Sequence, residues 1–290
     1  SAIEHPAVYK TLEFLEKQGF EISILAVDEK GHISLEELEK TIREDTVMVS
    51  IMTVNNEVGA IADIHAIGEL IKKKNPNCLF HTDAIQAYGK MIQQPKKDFV
   101  DLLSVSGHKL HGPKGIGFLF IDERVKIDPI LFGGGQQGGL RSGTLNIPGI
   151  TGMGLAAKMV YQDFPEKIEK LYQLKDYFIE ELLKLPEVKV NSEKGVASAP
   201  QIVSASFYGV KAEVLLHALE DKGIYVSSGS ACSSNHPGIS GTLKAIGLGQ
   251  KELDSTLRFS FSFLTEKREL TDTIEALKEL LPILRKFYKA

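Results

Sequence analysis

Short apolar runs alternate with amphipathic stretches through the first half of the chain. The runs are too short for helices and end at glycine, proline or polar residues, so they are predicted to be strands; they lie at 22–27, 47–54, 78–83, 98–103 and 115–121. Between them, apolar residues recur at helical spacing, and the predicted helices lie at 5–20, 34–42 and 63–74. Ser34 and Asp63 precede two of these helices and are predicted to cap them. This alternation is typical of an α/β domain with a mostly parallel sheet.

The second half of the chain has a different order of elements. Helices are predicted at 165–185, 212–219 and 270–288, the last interrupted at Pro282, and strands at 202–207, 224–226 and 257–261. This order indicates a smaller α+β domain. The predicted domains are therefore 1–163 and 164–290, with the boundary beside Pro165.

Three polar residues lie at or just beyond the ends of predicted strands: Asn56, Asp83 and Lys109. In open α/β sheets, ligands bind beyond the carboxyl ends of the strands, so we expect these residues to converge on one edge. Lys109 stands on a glycine-flanked turn between two apolar strands. A solvated turn lysine is the simpler interpretation, because buried lysines are rare.

A lysine and a carboxylate at such an edge can also bind pyridoxal phosphate (PLP). The lysine forms a Schiff base with the aldehyde, and a carboxylate such as Asp83 holds the pyridine nitrogen protonated. Gln86 is placed to contact the phenolic oxygen, and Ser106 and His108 flank the lysine, where they can reach the phosphate. Burial beside the apolar strands is expected to keep Lys109 partly neutral.

Composition narrows the class of protein. The 290 residues carry 34 basic and 38 acidic side chains, a net charge of −4, with both signs interspersed. The sequence has no basic tract of the kind that binds nucleic acid, and no apolar run is long enough to span a membrane. Two cysteines in a chain of this size indicate a reducing compartment, so we expect a cytoplasmic location.

Six motifs occur in one order along nearly the whole chain, at 4–8, 49–59, 81–86, 106–109, 141–144 and 228–232. Any one is weak, but the ordered set resembles the cysteine desulfurases of the NifS/IscS type, in the class V aminotransferase family of fold-type I PLP enzymes. The resemblance implies a PLP-binding large domain with a mostly parallel sheet and a smaller α+β C-terminal domain carrying a cysteine loop.

The resemblance also implies roles for individual residues. Lys109 binds PLP covalently and moves protons at the substrate Cα, His5 stacks on the ring, Asp83 pairs with the ring nitrogen and Gln86 contacts the phenolic oxygen. Ser106 and His108 are expected to bind the phosphate, and Thr144 is expected to reach the phosphate of a homodimer partner. Asn56 is expected to contact cofactor and substrate, and Arg258 is expected to bind the substrate carboxylate. Cys232 corresponds to the nucleophile that takes the sulfur of L-cysteine as a persulfide and leaves L-alanine.

Partners and alternatives follow from the same resemblance. The sulfur acceptor is expected to be a protein such as an iron–sulfur scaffold or a tRNA-thiolation protein. A selenocysteine lyase, a related class V aminotransferase and a truncated non-catalytic chain remain alternatives. Two departures from the family pattern bear on activity: the family's first strand and glycine-threonine phosphate turn lie upstream of any residue here, and Gln-Gln-Gly-Gly stands at 136–139 where the family often has Gln-Glu-Arg-Gly.

Other candidate residues have simpler interpretations. Cys78 lies inside a predicted strand and is expected in the core. His108 and His111 lack a cysteine or carboxylate partner in sequence, so no metal site is predicted. The glycines at 133–139 lack the lysine of a nucleotide-binding loop and are expected to form a flexible or dimer-facing loop.

Overall fold

The computed structural model describes residues 1–228 and 240–287. Within them, the α-helices are α1 (Pro6–Lys17), α2 (Leu35–Thr41), α3 (Ile64–Lys74), α4 (Ile147–Tyr161), α5 (Phe164–Leu183), α6 (Ala212–Glu220), α7 (Gly241–Ala245), α8 (Gln250–Leu253) and α9 (Lys267–Arg285). The strands are β1 (Met48–Ser50), β2 (Leu79–Asp83), β3 (Leu102–Ser106), β4 (Gly117–Ile121), β5 (Val188–Val190), β6 (Ile202–Phe207), β7 (Ser227–Ser228) and β8 (Thr256–Ser260). Short 3₁₀ helices lie at Gly107–Leu110, Gln136–Gly139 and Gly195–Ala197.

The chain forms two compact units. The first comprises 1–41, 54–62 and 165–290, and the second comprises 42–53 and 63–164. The predicted domain boundary beside Pro165 coincides with the point where the second unit ends, at 164, and the last segment of the first unit begins, at 165. Residues 1–41 and 54–62, however, belong to the compact unit of the C-terminal part rather than to that of residues 42–164. The division into functional domains at 1–163 and 164–290 therefore stays a prediction.

The second unit contains a four-stranded sheet in the order β1-β2-β3-β4. The pairs β1–β2 and β2–β3 are parallel, and β4 is antiparallel to β3. The buried side chains Phe80, Leu103 and Val105 come from the central strands, and Ile67 and Ile71 come from α3. This is the mostly parallel α/β arrangement that the alternating pattern predicts.

The first unit contains an antiparallel sheet in the order β5-β6-β8-β7. Every residue of β6 is buried, because α5, α6 and α9 contribute to one apolar core with β6 and β8. Phe178 of α5 packs edge-on against Phe259 of β8, with ring centroids 4.9 Å apart. The predicted α+β character of the C-terminal part is thus confirmed.

Local signals located several helix ends correctly. Ser34 Oγ accepts from the Glu37 backbone N–H at 3.2 Å, and Asp63 Oδ1 accepts from that of Ala66 at 3.0 Å, as predicted for caps. The helix predicted to break at Pro282 is continuous through it, since α9 runs to Arg285. Leu277 and Leu281 are buried just before the proline, so packing holds the helix despite the lost N–H.

Strand predictions were less accurate. The predicted strand at 22–27 was wrong: among the described residues only Val27 makes a bridge, to Ile33, and Ile24 is 41% exposed. A strand needs a paired neighbour, and the apolar run alone does not supply one. The run at 47–54 contributes β1 and a bridge from Val54 to Ile61, and the run at 98–103 overlaps β3 only at its last two residues. The strand predicted at 224–226 lies instead at β7. In the part of the chain that the structure describes, no helix combines the length and apolarity needed to cross a bilayer.

Candidate active site

The carboxyl ends of β2 and β3 bring Asp83 and the Lys109 turn next to each other in the second unit. Asp83 is the last residue of β2 and pairs in register with Ser104 of β3, which ends two residues later at Ser106. Asp83 is 5% exposed, and its Oδ1 accepts from the Ile85 backbone N–H at 2.9 Å. Gln86 follows, half-buried, three residues beyond Asp83. Neighbouring parallel strands therefore place a buried carboxylate beside the turn that carries the lysine.

The Lys109 turn has a backbone that only a narrow set of residues allows. Lys109 lies in the 3₁₀ helix Gly107–Leu110, which ends at His111 in the left-handed region, with φ 60°. The backbone N–H of Gly107 donates to the Ile116 carbonyl at 2.9 Å, and that of Gly112 donates to the Gly107 carbonyl at 3.0 Å. A Cβ at Gly107 would lie 2.9 Å from Cγ2 of Ile116, so glycine is needed for this close approach.

The exposure of Lys109 differs from the prediction. The side chain is exposed rather than buried between the strands. The reason is that the 3₁₀ helix turns the chain away from the sheet directly after Ser106. The burial beside the apolar strands that the sequence predicts for Lys109 is therefore not found.

Ser106 and His108 form a close pair beside the lysine. Ser106 Oγ lies 2.6 Å from Nδ1 of His108, and either atom can donate. Partial desolvation, followed by the positive charges of Lys109 and Lys114, lowers the pKa of His108 below 6.5. The ring is therefore neutral at pH 7, and the hydroxyl and imidazole together offer polar hydrogen-bonding groups to an anion.

A second lysine lies against this turn. Lys90 is 7% exposed, and its Nζ lies 3.5 Å from the backbone oxygen of Lys109. Burial, with a smaller contribution from the charge of Lys109, lowers the pKa of Lys90 from 10.5 to about 8. Lys90 was not predicted from the sequence, since it follows a glycine in a loop and no spacing distinguishes it from a surface lysine.

The remaining predicted residue of this unit, Thr144, is exposed. It lies between the 3₁₀ helix Gln136–Gly139 and α4. The Asn146 side chain two residues later caps α4, with Oδ1 accepting from the Gly149 backbone N–H at 3.1 Å. Thr144 is thus held near a fixed helix start, with its hydroxyl available to another molecule.

The donor set at these strand ends fits PLP. The pyridine nitrogen needs a desolvated carboxylate, and Asp83 is one. The aldehyde needs an accessible amine, which exposed Lys109 provides. The phosphate needs hydroxyl or ring N–H groups, and Ser106 and His108 supply both kinds. In residues 1–228 and 240–287, no group of three His, Cys, Asp or Glu side chains could hold a metal ion.

Arg258 and Asn56 meet in the first unit. Arg258 on β8 donates from Nη1 to the Asn56 backbone oxygen at 2.8 Å and from Nη2 to Ser227 Oγ at 3.2 Å. Its Nε is buried and has no hydrogen-bond partner in the described part of the chain. A guanidinium with a buried, unused N–H is suited to an anionic ligand, because an unpaired buried donor is costly.

The turn that carries Asn56 is fixed by its neighbour Asn55. Asn55 Oδ1 accepts from the backbone N–H groups of both Glu57 and Val58 at 2.9 Å, and its Nδ2 donates to the Ile3 carbonyl at 3.0 Å. Asn55 is fully buried, and Asn56 is buried as well. The backbone oxygen that Arg258 uses therefore has a defined position.

Glu57 and His5 complete the polar groups around this turn. Ser240 Oγ donates to Glu57 Oε2 at 2.5 Å. Burial raises the pKa of Glu57, although hydrogen bonds from Ser240 and Thr242 and the charges of Arg258 and His5 oppose the shift. His5 caps α1, with Nδ1 accepting from the Ala7 backbone N–H at 3.2 Å, so the neutral ring carries its proton on Nε2. Glu57 was not assigned from the sequence, although the motif that contains Asn56 also contains it.

The predicted residues therefore fall into two groups, one in each unit. Asp83, Gln86, Ser106, His108 and Lys109 share the strand ends of the second unit, which also contains Thr144. His5, Asn56 and Arg258 belong to the first unit. The expected convergence of Asn56 with Asp83 and Lys109 stays a prediction. Cys232 lies outside the described residues. Cys78 is fully buried, as expected of a core residue.

Comparison with known proteins identifies the family. The model of the class-V aminotransferase family matches residues 1–272. A cysteine desulfurase IscS of Clostridium botulinum is 41% identical over 281 residues, which are 96% of this chain and 70% of the relative. A solved structure of a NifS-like protein is 35% identical, with a TM-score of 0.91 over 98% of this chain and 74% of that chain. A structure of SspA in complex with cysteine is 32% identical, with a TM-score of 0.73 over 90% of this chain and 72% of that chain.

A mostly parallel sheet with a lysine and a carboxylate at neighbouring strand ends is an α/β arrangement that fits PLP. The chain belongs to the class V aminotransferase family, among its cysteine desulfurases. It spans about 70% of the length of the curated relative.

Proposed function

We propose that the protein is a PLP-dependent cysteine desulfurase that converts L-cysteine to L-alanine and retains the sulfur as a persulfide on Cys232. The observation that carries the proposal is the register of β2 and β3, which places buried Asp83 beside the turn of Lys109. Membership among the cysteine desulfurases supports the choice of reaction.

The cofactor would be held by the residues at these strand ends. Asp83 would keep the ring nitrogen protonated, Gln86 would donate to the phenolic oxygen, and Ser106 and His108 would bind the phosphate. When bound, PLP supplies an electron sink that makes the substrate Cα–H acidic. Lys109 would bind the aldehyde in the resting enzyme and then move the proton at Cα, for which an exposed, accessible amine is required.

The substrate would be oriented through its carboxylate. Arg258 is braced by Asn56 and Ser227, and its unused Nε–H is buried. A carboxylate accepting from this guanidinium would fix the amino acid near Asn56 and His5. His5, whose Nε2 carries the proton in the neutral ring, is assigned to cover the ring face and to act as an acid or base.

In the sulfur-transfer step, Cys232 is the only group that has to accept the sulfur, and the atoms and electrons balance. The Cys232 thiolate attacks the substrate sulfur, and a new S–S bond forms. The substrate C–S bond breaks with its electron pair left on carbon, and protonation of that carbon gives L-alanine. The products are one alanine and one persulfide for each cysteine consumed, and no external oxidant is needed.

The partners are proposed on the same basis. Thr144 would contact the phosphate bound by a second subunit in a homodimer. Exposed apolar side chains at Ile130 (89%) and Phe132 (82%) precede Thr144 and support an interface in this part of the second unit. An iron–sulfur scaffold or a tRNA-thiolation protein in the cytoplasm would accept the sulfur; no nucleic acid or membrane contact is proposed.

One experiment tests the function. The purified protein is incubated with PLP and L-cysteine under a thiol reductant, and alanine, sulfide and visible absorbance are measured. We expect equal amounts of alanine and sulfide from the wild type, loss of the absorbance in Lys109→Ala, and loss of sulfide release in Cys232→Ala. Cys78→Ala is the matched control and should retain sulfide release. A wild type that releases no sulfide, together with transamination of alanine by Cys232→Ala, would instead indicate an aminotransferase.

A further inference from the structure

The turn at 55–58 is tied to two other parts of the first unit. On one side, Arg258 bridges the Asn56 backbone oxygen to Ser227 of β7. On the other side, the Glu57 carboxylate accepts directly from Ser240. Ser227 precedes and Ser240 follows the stretch of sequence that contains Cys232. The same short turn is therefore hydrogen-bonded to chain segments before and after the nucleophile.

Several contacts fix the Ser240 side of this arrangement. Ser240 is buried, and its Oγ also accepts from the Leu243 backbone N–H at 3.0 Å, so it caps α7. Thr242 Oγ1 lies 3.5 Å from Asn55 Nδ2. Apolar packing adds to these bonds, since Val58 shares a buried cluster with Leu243 and Ile246. The start of α7 is thus fastened to the turn by both polar and apolar contacts.

The Glu57 carboxylate has a specific place in this arrangement. It faces Ser240 and Thr242 from α7 and its cap, Arg258 from β8, and His5 from the start of α1. The hydrogen bonds of Arg258 run to the Asn56 backbone and to Ser227, and neither uses the Glu57 carboxylate. Removing that carboxylate therefore leaves the braces of the arginine in place.

We propose that Glu57 is a positioning residue for sulfur transfer: through Ser240 it anchors α7 to the turn that braces the substrate-binding arginine. This inference rests on the proposed function. Cys232 has to meet the sulfur of a substrate held at Arg258, and reactions between two held groups are sensitive to displacements of about 1 Å. An anchor shared by Arg258 and the chain after Cys232 limits such displacements.

The test is a double-mutant cycle on steady-state alanine formation with saturating PLP and thiol reductant. We expect Glu57→Ala to lower kcat by about 10- to 100-fold, the effect of losing one hydrogen bond to a charged group. The KM for L-cysteine should stay within about threefold, because Arg258 keeps its braces. Glu57→Gln retains an oxygen acceptor for Ser240 and should recover most of kcat. Ser240→Ala should lower kcat as well, and the double variant should be no slower than Glu57→Ala, because residues in one hydrogen-bond network are non-additive.

A matched control separates anchoring from simple loss of a helix cap. Asp63→Ala removes the cap of α3 in the other unit and should lower Tm without changing kcat. An unchanged kcat in Glu57→Ala, a KM that rises as much as kcat falls, or additive effects of Glu57→Ala and Ser240→Ala would each overturn the proposal. If Glu57→Ala does not fold, a comparison of Glu57→Gln with Ser240→Ala tests the proposal instead. A kcat of Glu57→Gln as low as that of Ser240→Ala would oppose the proposal, and a kcat close to that of the wild type would support it. If the wild type forms no alanine, the proposed function is refuted. If the wild type is active and Glu57→Ala has the same kcat, only the role of Glu57 is refuted.

Discussion

Arg258 donates from Nη1 to the backbone oxygen of Asn56 at 2.8 Å, although the two residues are 202 positions apart in the chain. The bond joins β8 to the turn that Asn55 fixes from within. It orients the guanidinium through Nη1, while the buried Nε–H has no hydrogen-bond partner among the described residues. A hydrogen bond to the main chain thus fixes the position of this side chain.

Arg258→Lys is expected to raise the KM for L-cysteine by about 10- to 100-fold. Lysine has no planar fork, so it cannot hold both the Asn56 oxygen and a carboxylate, and a hydrogen bond to a charged group contributes about 1.5–3 kcal/mol. Steady-state kinetics measure the change. Arg285→Lys is the control: Arg285 also donates to backbone carbonyls, those of Tyr208 and Pro186, and its loss should change Tm but not KM. Equal KM changes in the two variants would contradict the assignment of Arg258.

Lys90→Met is expected to stabilise the protein at pH 7. The pKa of Lys90 falls from 10.5 to about 8 on folding, and at about 1.4 kcal/mol per pH unit the charged form costs at most about 3.5 kcal/mol. The folded state binds this proton less tightly than the unfolded chain, so wild-type stability should rise with pH between about 8 and 10.5. In Lys90→Met that rise should be smaller. Urea unfolding at several pH values measures both the stability at pH 7 and its rise with pH. A variant less stable than the wild type at pH 7 would oppose the prediction.

Lys175→Met is expected to have the opposite effect. Burial also lowers the pKa of Lys175 to about 8, but its Nζ donates to the Gly195 and Ser198 carbonyls and to Ser198 Oγ at 2.6–3.0 Å. Methionine would leave buried Ser198 acceptors unsatisfied, at about 1–3 kcal/mol each. The free energy of unfolding at pH 7 should therefore fall. Lys90→Met and Lys175→Met form a matched pair in the same urea assay. A Lys175→Met protein that is more stable than the wild type would show that the three short hydrogen bonds of Lys175 do not outweigh the cost of its burial.

Gly107→Ala is expected to destabilise the Lys109 turn by about 1–3 kcal/mol and to weaken PLP uptake. The added Cβ would meet Ile116 Cγ2 at 2.9 Å and the Pro113 carbonyl at 3.2 Å, so the chain before Lys109 has to shift. Thermal unfolding and the visible absorbance after incubation with PLP measure the two effects. Gly154→Ala is the control, since its Cβ meets nothing within 4 Å in α4, and it should stabilise by about 0.5–1 kcal/mol. Normal PLP uptake in Gly107→Ala would show that the turn tolerates the shift.

The sequence by itself determined the features that depend on neighbouring residues. Periodicity located α1, and periodicity with cap chemistry located α3. The order of strands and their polar ends predicted that Asp83 and Lys109 lie beside each other. These features follow from local interactions, or from the rule that parallel strands end at one edge.

Only the tertiary structure decided the contacts between distant parts of the chain. The run at 22–27 had the composition of a strand, but in the described chain its only bridge is that of Val27 with Ile33. Lys109 proved exposed, while Lys90, which was not assigned from the sequence, is buried beside it. The bonds of Arg258 to Asn56 and of Ser240 to Glu57 join residues 202 and 183 positions apart. Periodicity carries no information on such pairs, because pairing and burial depend on which surfaces meet after the chain has folded.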